Sequence, residues 1–230
     1  MSEGPRRIVV VALRRLAIAL VAATVFGTVA PAESNAASVR PASVGAATTV
    51  APRVNPPTAV TDDPIAIASS LVLAALWVND SASYQRGLDT LVPLVAKRAK
   101  VTASALRLAW SSADRPRMVA LLAALTQLGV PYRRNTQLEG VAFDCSGFTS
   151  WAWSVAGVKL SKSRVSQLKQ LQPSTVAAVK PGDILAYPGH VMMAIGVGEA
   201  MIDSPYTGAW VQLRPMYPRR VGKVDVLSPL

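Results

Sequence analysis

The spacing of apolar residues divides the chain into a helical first part and a later part of short extended runs. Asp63 stands before Pro64, a residue that suits the first turn of a helix, and a long apolar stretch follows. Leucines and valines at helical spacing then predict two more short helices, interrupted near Pro93 and Lys100. Residues 63–112 are therefore predicted to form a small helical region.

A sharper helical pattern starts after Asp114, which can cap a helix, with Pro116 in its first turn. The apolar positions of this helix fall on one face and are Met118, Leu121, Leu122, Leu125 and Leu128. Beyond Pro131 the pattern predicts one further helix and then short extended runs. These runs are 184–187, 191–195, 200–202 and 221–227. Helices first and strands later is the order of an α+β fold.

The amino-terminal part of the chain has the composition of a targeting segment followed by a linker. Four arginines in the first 15 residues precede the uncharged stretch 16–30, and small residues follow it. This pattern predicts a secretory signal over residues 1–32, so that the protein is exported and not stably inserted in a membrane. The apolar run is shorter than the roughly 20 residues of a spanning helix, and an uncleaved anchor is the alternative. Residues 33–62, rich in Ala, Ser, Thr, Val and Pro, predict a flexible linker.

Composition and charge narrow the class of protein. Of the 230 residues 51% are apolar and only 16% are charged, which is too apolar for a disordered chain. The formal net charge of +11 is spread along the chain without a long basic run, which disfavours a nucleic-acid partner. An anionic cell envelope fits this charge equally well. The sequence assigns no oligomeric state.

Cys145 is the only cysteine and is predicted to lie in the first turn of a helix. Asp144 has the character of an N-cap, apolar residues then repeat at helical spacing, and Gly157 suits the helix end. The positive end of the helix dipole favours the thiolate, and the free N–H groups there can hold an oxyanion. The alternative is a buried cysteine that packs as a small apolar residue.

One Cys and one His are too few for a structural zinc site, and we expect no cofactor.

His190 is the only histidine and therefore the only imidazole available as a general base. It starts an extended run, and the next run ends at Asp203 after a short connection that suggests an antiparallel hairpin. If the register puts Asp203 opposite His190 or Met192, the carboxylate lies on the His190 face and can orient the ring. A slip of one residue would turn Asp203 away, and the alternative is a turn aspartate before Ser204.

With these residues the chain resembles the NlpC/P60 cysteine peptidases, a papain-like group that cuts peptidoglycan stem peptides. The resemblance covers about residues 114–230 and rests on the order and spacing of several fragments. They are Gly129-Val130-Pro131-Tyr132, Phe143-Asp144-Cys145-Ser146-Gly147-Phe148, Pro181-Gly182-Asp183-Ile184-Leu185, His190-Val191, and Met201-Ile202-Asp203-Ser204-Pro205. It implies a catalytic domain over residues 113–230 in which the cysteine helix packs on an antiparallel sheet. It also implies hydrolysis of an amide bond, often between D-glutamate and diaminopimelate or lysine.

The resemblance carries roles over to individual residues. Cys145 matches the family nucleophile, His190 its base, and Asp203 the third polar residue, which is commonly His in the family. Tyr132 and Asp144 match positions that in some members meet the free amino end of the substrate, and the neighbouring Ser146 is close enough to share that task.

Two departures from the family pattern leave other functions open. Arg133-Arg134-Asn135-Thr136 stands where the family often has Trp-Gly-Gly, and Met192 replaces a small residue, which is expected to narrow the site. One alternative keeps the catalytic pair but makes the protein an amidase or acyltransferase. Another is a catalytically weak or inactive protein that binds the wall or regulates a partner. Three roles are open for residues 63–112: an autoinhibitory cover, a docking module or a set of helices that binds a partner. The sequence does not distinguish between them.

Overall fold

Six α-helices and ten short strands make up the part of the chain that the computed structural model describes, residues 48–49 and 53–230. The helices are α1 Pro64–Trp77, α2 Ser81–Ala99, α3 Ala103–Ser111, α4 Arg115–Thr126, α5 Cys145–Val155 and α6 Arg164–Gln170. The strands are β1 Thr48–Thr49, β2 Gln137–Leu138, β3 Ala142–Phe143, β4 Val158–Lys159, β5 Gln172–Ser174, β6 Pro181–Tyr187, β7 His190–Ile195, β8 Met201–Asp203, β9 Gln212–Arg214 and β10 Asp225–Ser228. The predicted signal segment and most of the predicted linker lie outside the described residues.

The first three helices follow the predicted pattern except at Pro93. Asp63 caps α1 as expected, because its Oδ1 accepts the Ile65 N–H at 2.8 Å. The predicted interruption at Pro93 is wrong, since α2 continues through this residue to Ala99. Proline removes one helical hydrogen bond, but the buried side chains around it hold the helix together through packing. The predicted break at Lys100 is confirmed, with φ at 55° in the left-handed region.

Helix α4 is the central helix and is buried on all sides. Ten of its 12 residues are buried, whereas its sequence predicted a single apolar face. The prediction was wrong because α1 packs on one side of α4 while α5 and β6 pack on others. Asp114 takes the N-cap position but makes no side-chain cap hydrogen bond.

Arg117, near the start of α4, is a buried arginine that ties this helix to the sheet. Its side chain is 1% exposed, and Nη1 donates to Asp183 Oδ1 at 2.7 Å and to the Pro181 carbonyl at 3.1 Å. Nη2 donates to Ser228 Oγ at 2.6 Å. These bonds join α4 to both β6 and β10, so that one side chain links three elements.

Replacing Arg117 with methionine is expected to lower the free energy of unfolding by about 3–5 kcal/mol, because Asp183 would be left as a buried, uncompensated charge. Urea denaturation monitored by tryptophan fluorescence measures this loss. The exposed Arg115, two residues earlier on α4, provides the matched control, and Arg115→Met should change stability by no more than about 0.5 kcal/mol. Equal stabilities for the two variants would contradict the structural role of Arg117.

The main sheet has six strands in the order β5-β10-β6-β7-β8-β9, and every neighbouring pair is antiparallel. One face packs on the helices and forms the large core. The other face carries a smaller apolar cluster, which consists of Leu185, Met192, Ala194, Met201, Met216 and Val226. The predicted α+β fold, with the helix of Cys145 packed on an antiparallel sheet, is confirmed.

The later elements differ in detail from the predicted pattern. Two helices rather than one follow Pro131, since the short α6 was missed. The predicted run over 221–227 is a strand only from Asp225, because Gly222 has φ at 69° and the chain turns there. Strand β9, which was not predicted, extends the sheet beyond β8. This strand carries Arg214, which contacts Asp203.

Helices α1 to α3 share one continuous core with the helices and strands that follow them. Trp110 in α3 donates its Nε1–H to the carbonyl of Ile195 at 2.8 Å. Ile195 ends β7, whereas His190 begins it, so this contact braces the end of the strand far from His190. None of the helices in the described part of the chain combines the length and hydropathy that a bilayer-spanning helix needs.

Candidate active site

Cys145 is the first residue of α5, as its sequence context predicted. Asp144 is the N-cap, and its Oδ1 accepts the N–H of Gly147 at 2.6 Å. A Cβ at Gly147 would collide with the carbonyl oxygen of Thr136, so the loop before β2 can approach the helix only because this residue is glycine. The cap leaves the N–H groups of Cys145 and Ser146, at the positive end of the helix, free for an acceptor.

His190 begins β7 and is hydrogen-bonded to Asp203 at the end of β8. Nε2 of His190 lies 2.7 Å from Oδ2 of Asp203, which is fully buried. The β7–β8 register pairs Met193 with Ile202 and Ala194 with Met201. One further step places Asp203 opposite Met192 and diagonal to His190, which confirms the predicted face of the carboxylate. Because Nε2 is bonded to Asp203, Nδ1 is the ring nitrogen left to serve the thiol.

The environment of Cys145 and His190 favours the charged form of both. Burial raises the pKa of the Cys145 thiol, but hydrogen bonding and charge from His190, together with the Val191 N–H, outweigh it and hold the pKa below its usual 9.0. Burial lowers the pKa of His190, but the hydrogen bond to Asp203 and the interaction with Cys145 raise that pKa to about 9. Both shifts favour the thiolate–imidazolium form of the pair over the neutral form.

Arg214, which the sequence analysis missed, is a fourth charged residue at this site. Its Nη2 donates to Oδ2 of Asp203 at 2.9 Å, the same oxygen that His190 contacts. The guanidinium stacks on Tyr217, with Cζ 3.7 Å from the ring centre. A fully buried carboxylate needs such cationic partners, because an unpaired buried charge is very costly. The only available signal was the alternation of apolar and polar residues from Val211 to Arg214, which could have identified β9.

The predicted substrate-binding residues lie around the start of α5. Burial raises the pKa of Tyr132 most, and the negative charges of Cys145 and Asp144 raise this pKa further. The hydroxyl of Ser146 is buried and donates to the carbonyl of Lys162 at 2.7 Å. Ser146 therefore joins the loop before α6 to the helix of Cys145.

A cavity of about 590 Å³ opens beside Asp144. Six of its eight lining residues have polar side chains, and the full lining is Asn135, Thr136, Gln137, Leu138, Asp144, Gly147, Lys162 and Ser163. The Arg133–Thr136 stretch that departs from the family pattern thus contributes one wall of the cavity. Met192 has no exposed surface and packs in the smaller apolar cluster, so it does not narrow this opening. Within the described residues, no three His, Cys, Asp or Glu side chains converge as a metal site requires.

The model of the NlpC/P60 family matches residues 129–226, a range that includes Cys145, His190 and Asp203. These residues form an NlpC/P60 domain. A probable endopeptidase of Mycobacterium tuberculosis (strain H37Rv) is 36% identical to the chain over 103 residues, which is 44% of this chain and 26% of the relative. A probable endopeptidase of Corynebacterium glutamicum (strain R) is 28% identical over 141 residues, 58% of this chain and 66% of the relative. The chain thus spans about a quarter of the length of the mycobacterial relative.

Solved structures of NlpC/P60 proteins are also similar to the chain. An NlpC/P60 family protein of Bacillus cereus has a TM-score of 0.44 at 23% identity, over 49% of this chain and 39% of its own. The NlpC/P60 domain of the peptidoglycan hydrolase SagA has a TM-score of 0.41 at 27% identity, over 48% of this chain and 97% of its own.

Proposed function

We propose that this protein is an exported cysteine peptidase that hydrolyses an amide bond in peptidoglycan stem peptides. The observation that carries the proposal is the linked arrangement of the site: a thiol at a helix start, an imidazole beside it, and a buried carboxylate that contacts the imidazole. The family membership of residues 129–226 and the relatives named probable endopeptidases support the same reaction class. The predicted signal over residues 1–32 supports export.

The proposed mechanism begins with attack of the Cys145 thiolate on the carbonyl carbon of the scissile amide. The developing oxyanion accepts hydrogen bonds from the free N–H groups at the start of α5. His190, already protonated, donates its proton to the leaving nitrogen as the C–N bond breaks, and a thioester to Cys145 remains. His190 then removes a proton from water, whose oxygen attacks the thioester and restores the thiolate–imidazolium pair. Asp203 stabilises the imidazolium before and after each transfer.

The proposed substrate bond joins D-glutamate to a diamino acid in the stem peptide. The resemblance of residues 129–226 to the NlpC/P60 family implies this bond. Tyr132 and Asp144 are proposed to bind the amino end of the peptide, which would extend from Cys145 toward the cavity beside Asp144. Ser146 is proposed to contribute indirectly, because its hydroxyl is bonded to Lys162.

Digestion of purified peptidoglycan, followed by mass spectrometry of the soluble products, tests this function. A D-glutamyl endopeptidase releases fragments that begin with the diamino acid, whereas an amidase releases the complete stem peptide. An acyltransferase would form a new amide instead of a free carboxylate. Detection of complete stems without internal cleavage would therefore contradict the proposed bond.

The activity is expected to follow a bell-shaped pH profile, because it requires both the thiolate and the imidazolium. Activity should rise as the pH passes the lowered pKa of Cys145 and fall as it passes the pKa of His190 at about 9. Measuring kcat/KM on a stem dipeptide from pH 4 to 11 determines both limbs. Alkylation of Cys145 by iodoacetamide should be faster at neutral pH than that of an ordinary thiol, because the lowered pKa of Cys145 increases its thiolate fraction. Slow alkylation there would favour the inactive wall-binding alternative.

A further inference from the structure

The connection between β9 and β10 carries Arg220, which stacks on a tyrosine next to His190. Tyr187 is the direct cross-strand partner of His190, and the two ring centres are 5.4 Å apart. Cζ of Arg220 lies 4.3 Å from the ring centre of Tyr187. Arg220 and His190 therefore both lie next to the ring of Tyr187.

The backbone around Arg220 is held by hydrogen bonds on both sides of the residue. Its own N–H donates to the carbonyl of Tyr217 at 2.7 Å, and its carbonyl accepts the N–H of Lys223 at 2.9 Å. The N–H of Gly222 donates to Oε1 of Glu199 at 2.8 Å. These bonds, together with the stacking on Tyr187, give the half-buried Arg220 a defined position.

The guanidinium of Arg220 has no acidic partner among residues 53–230, since no Asp or Glu oxygen there lies within ion-pair distance of it. Arg214, on the same side of the sheet, is by contrast bonded to Asp203. A guanidinium presents planar donors that match a carboxylate in a two-point contact. Arg220 is thus a positioned cation with its donors available to a ligand.

The chemistry at His190 determines which part of the substrate would meet Arg220. The imidazolium must reach the leaving nitrogen to protonate it, so the residue that carries this nitrogen lies on the His190 side of Cys145. From there its side chain can extend along Tyr187 toward Arg220. This placement rests on the proposed function.

We propose that Arg220 binds a carboxylate on the side chain of the leaving residue. The site then prefers stem peptides in which the leaving residue is a diamino dicarboxylic acid, such as diaminopimelate. Lysine lacks this second carboxylate, and its ammonium group would be repelled by Arg220. A diaminopimelate whose distal carboxylate is amidated also loses the charged contact.

Binding to the full-length Cys145→Ala protein tests the inference independently of turnover. The probes are γ-D-glutamyl-diaminopimelate with a free distal carboxylate, the same peptide with that group amidated, and the lysine analogue. The carboxyl group next to the scissile nitrogen is blocked in all three. Isothermal titration is expected to give about tenfold tighter binding of the free carboxylate than of the amide, as for a hydrogen bond to a charged group.

Two further variants in the Cys145→Ala background identify the residue responsible. Arg220→Gln is expected to reduce the tenfold preference to nearly one, and Arg220→Lys to restore part of it. Lys223→Gln, which removes an exposed cation three residues later, should keep the full preference. Equal affinities for the three peptides, or a preference that survives Arg220→Gln, would overturn the inference.

A parallel assay of hydrolysis by the chain with Cys145 intact separates the two proposals. If no peptide is cleaved while the binding preference depends on Arg220, the proposed function is wrong and the carboxylate site stands. If peptides are cleaved with equal kcat/KM whatever the distal group, the proposed function stands and the carboxylate site is wrong.

Discussion

Cys145→Ala is expected to abolish hydrolysis of peptidoglycan, with kcat/KM reduced by at least about ten thousandfold, because no other described group can form the thioester. The fold should survive, since the substitution removes one half-buried sulfur atom and leaves the Asp144 cap bonded to Gly147. The measurement is release of amino groups from a stem dipeptide, with circular dichroism and thermal unfolding to confirm the fold.

A control on the same helix separates chemistry from structure. Ser154, on the last turn of α5, donates only to the carbonyl of Trp151, and Ser154→Ala should keep activity within about twofold. Cys145→Ser should be as inactive as Cys145→Ala, because a serine hydroxyl is not ionised by this environment. Residual activity in both Cys145 variants would show that the reaction uses another nucleophile.

Asp203→Asn is expected to lower kcat/KM by about a thousandfold, because a neutral amide neither stabilises the imidazolium nor keeps the ring in the same protonation state. The loss of the carboxylate also lowers the pKa of His190 from about 9, so the alkaline limb of the pH profile should move to lower pH. The full pH dependence of kcat/KM measures both effects. Unchanged position of the alkaline limb would contradict the role of Asp203.

Two other substitutions define what is specific to Asp203. Arg214→Gln keeps the contact between His190 and the carboxylate and is expected to cost only about tenfold, through loosened positioning of Asp203. Asp225→Asn removes an exposed carboxylate on β10 and should leave the pH profile as it is. If Arg214→Gln were as damaging as Asp203→Asn, the arginine would be equally necessary for the ion pair.

The features predicted well are those whose signals lie close together in the chain. The helix of Cys145 combines an N-cap, apolar residues at helical spacing and a terminal glycine within 14 residues, Asp144 to Gly157, and each signal acts on its own neighbours. The α+β order and the strand that begins at His190 were predicted for the same reason. Uniqueness of the thiol and the imidazole then limited the possible chemistry.

The features predicted poorly depend on what surrounds an element. Pro93 is a helix breaker by local rules, yet buried neighbours keep α2 continuous. Helix α4 has an amphipathic spacing but is enclosed on all sides, so its alanines and Arg117 are buried as well. Tertiary packing overrides local preference in both cases, because burial stabilises more than one lost hydrogen bond costs.

By itself the sequence predicted Cys145 as the nucleophile and His190 as the base, and it determined the helix that positions the thiol and the strand that begins with the imidazole. Only the tertiary structure decided that Asp203 faces His190, that Arg214 shares the same carboxylate oxygen, and that Arg220 stacks on Tyr187. Each of these contacts depends on strand register or on a loop that crosses the sheet. A shift of one residue in register reverses the face of a side chain, and no local periodicity encodes which register the packed core selects.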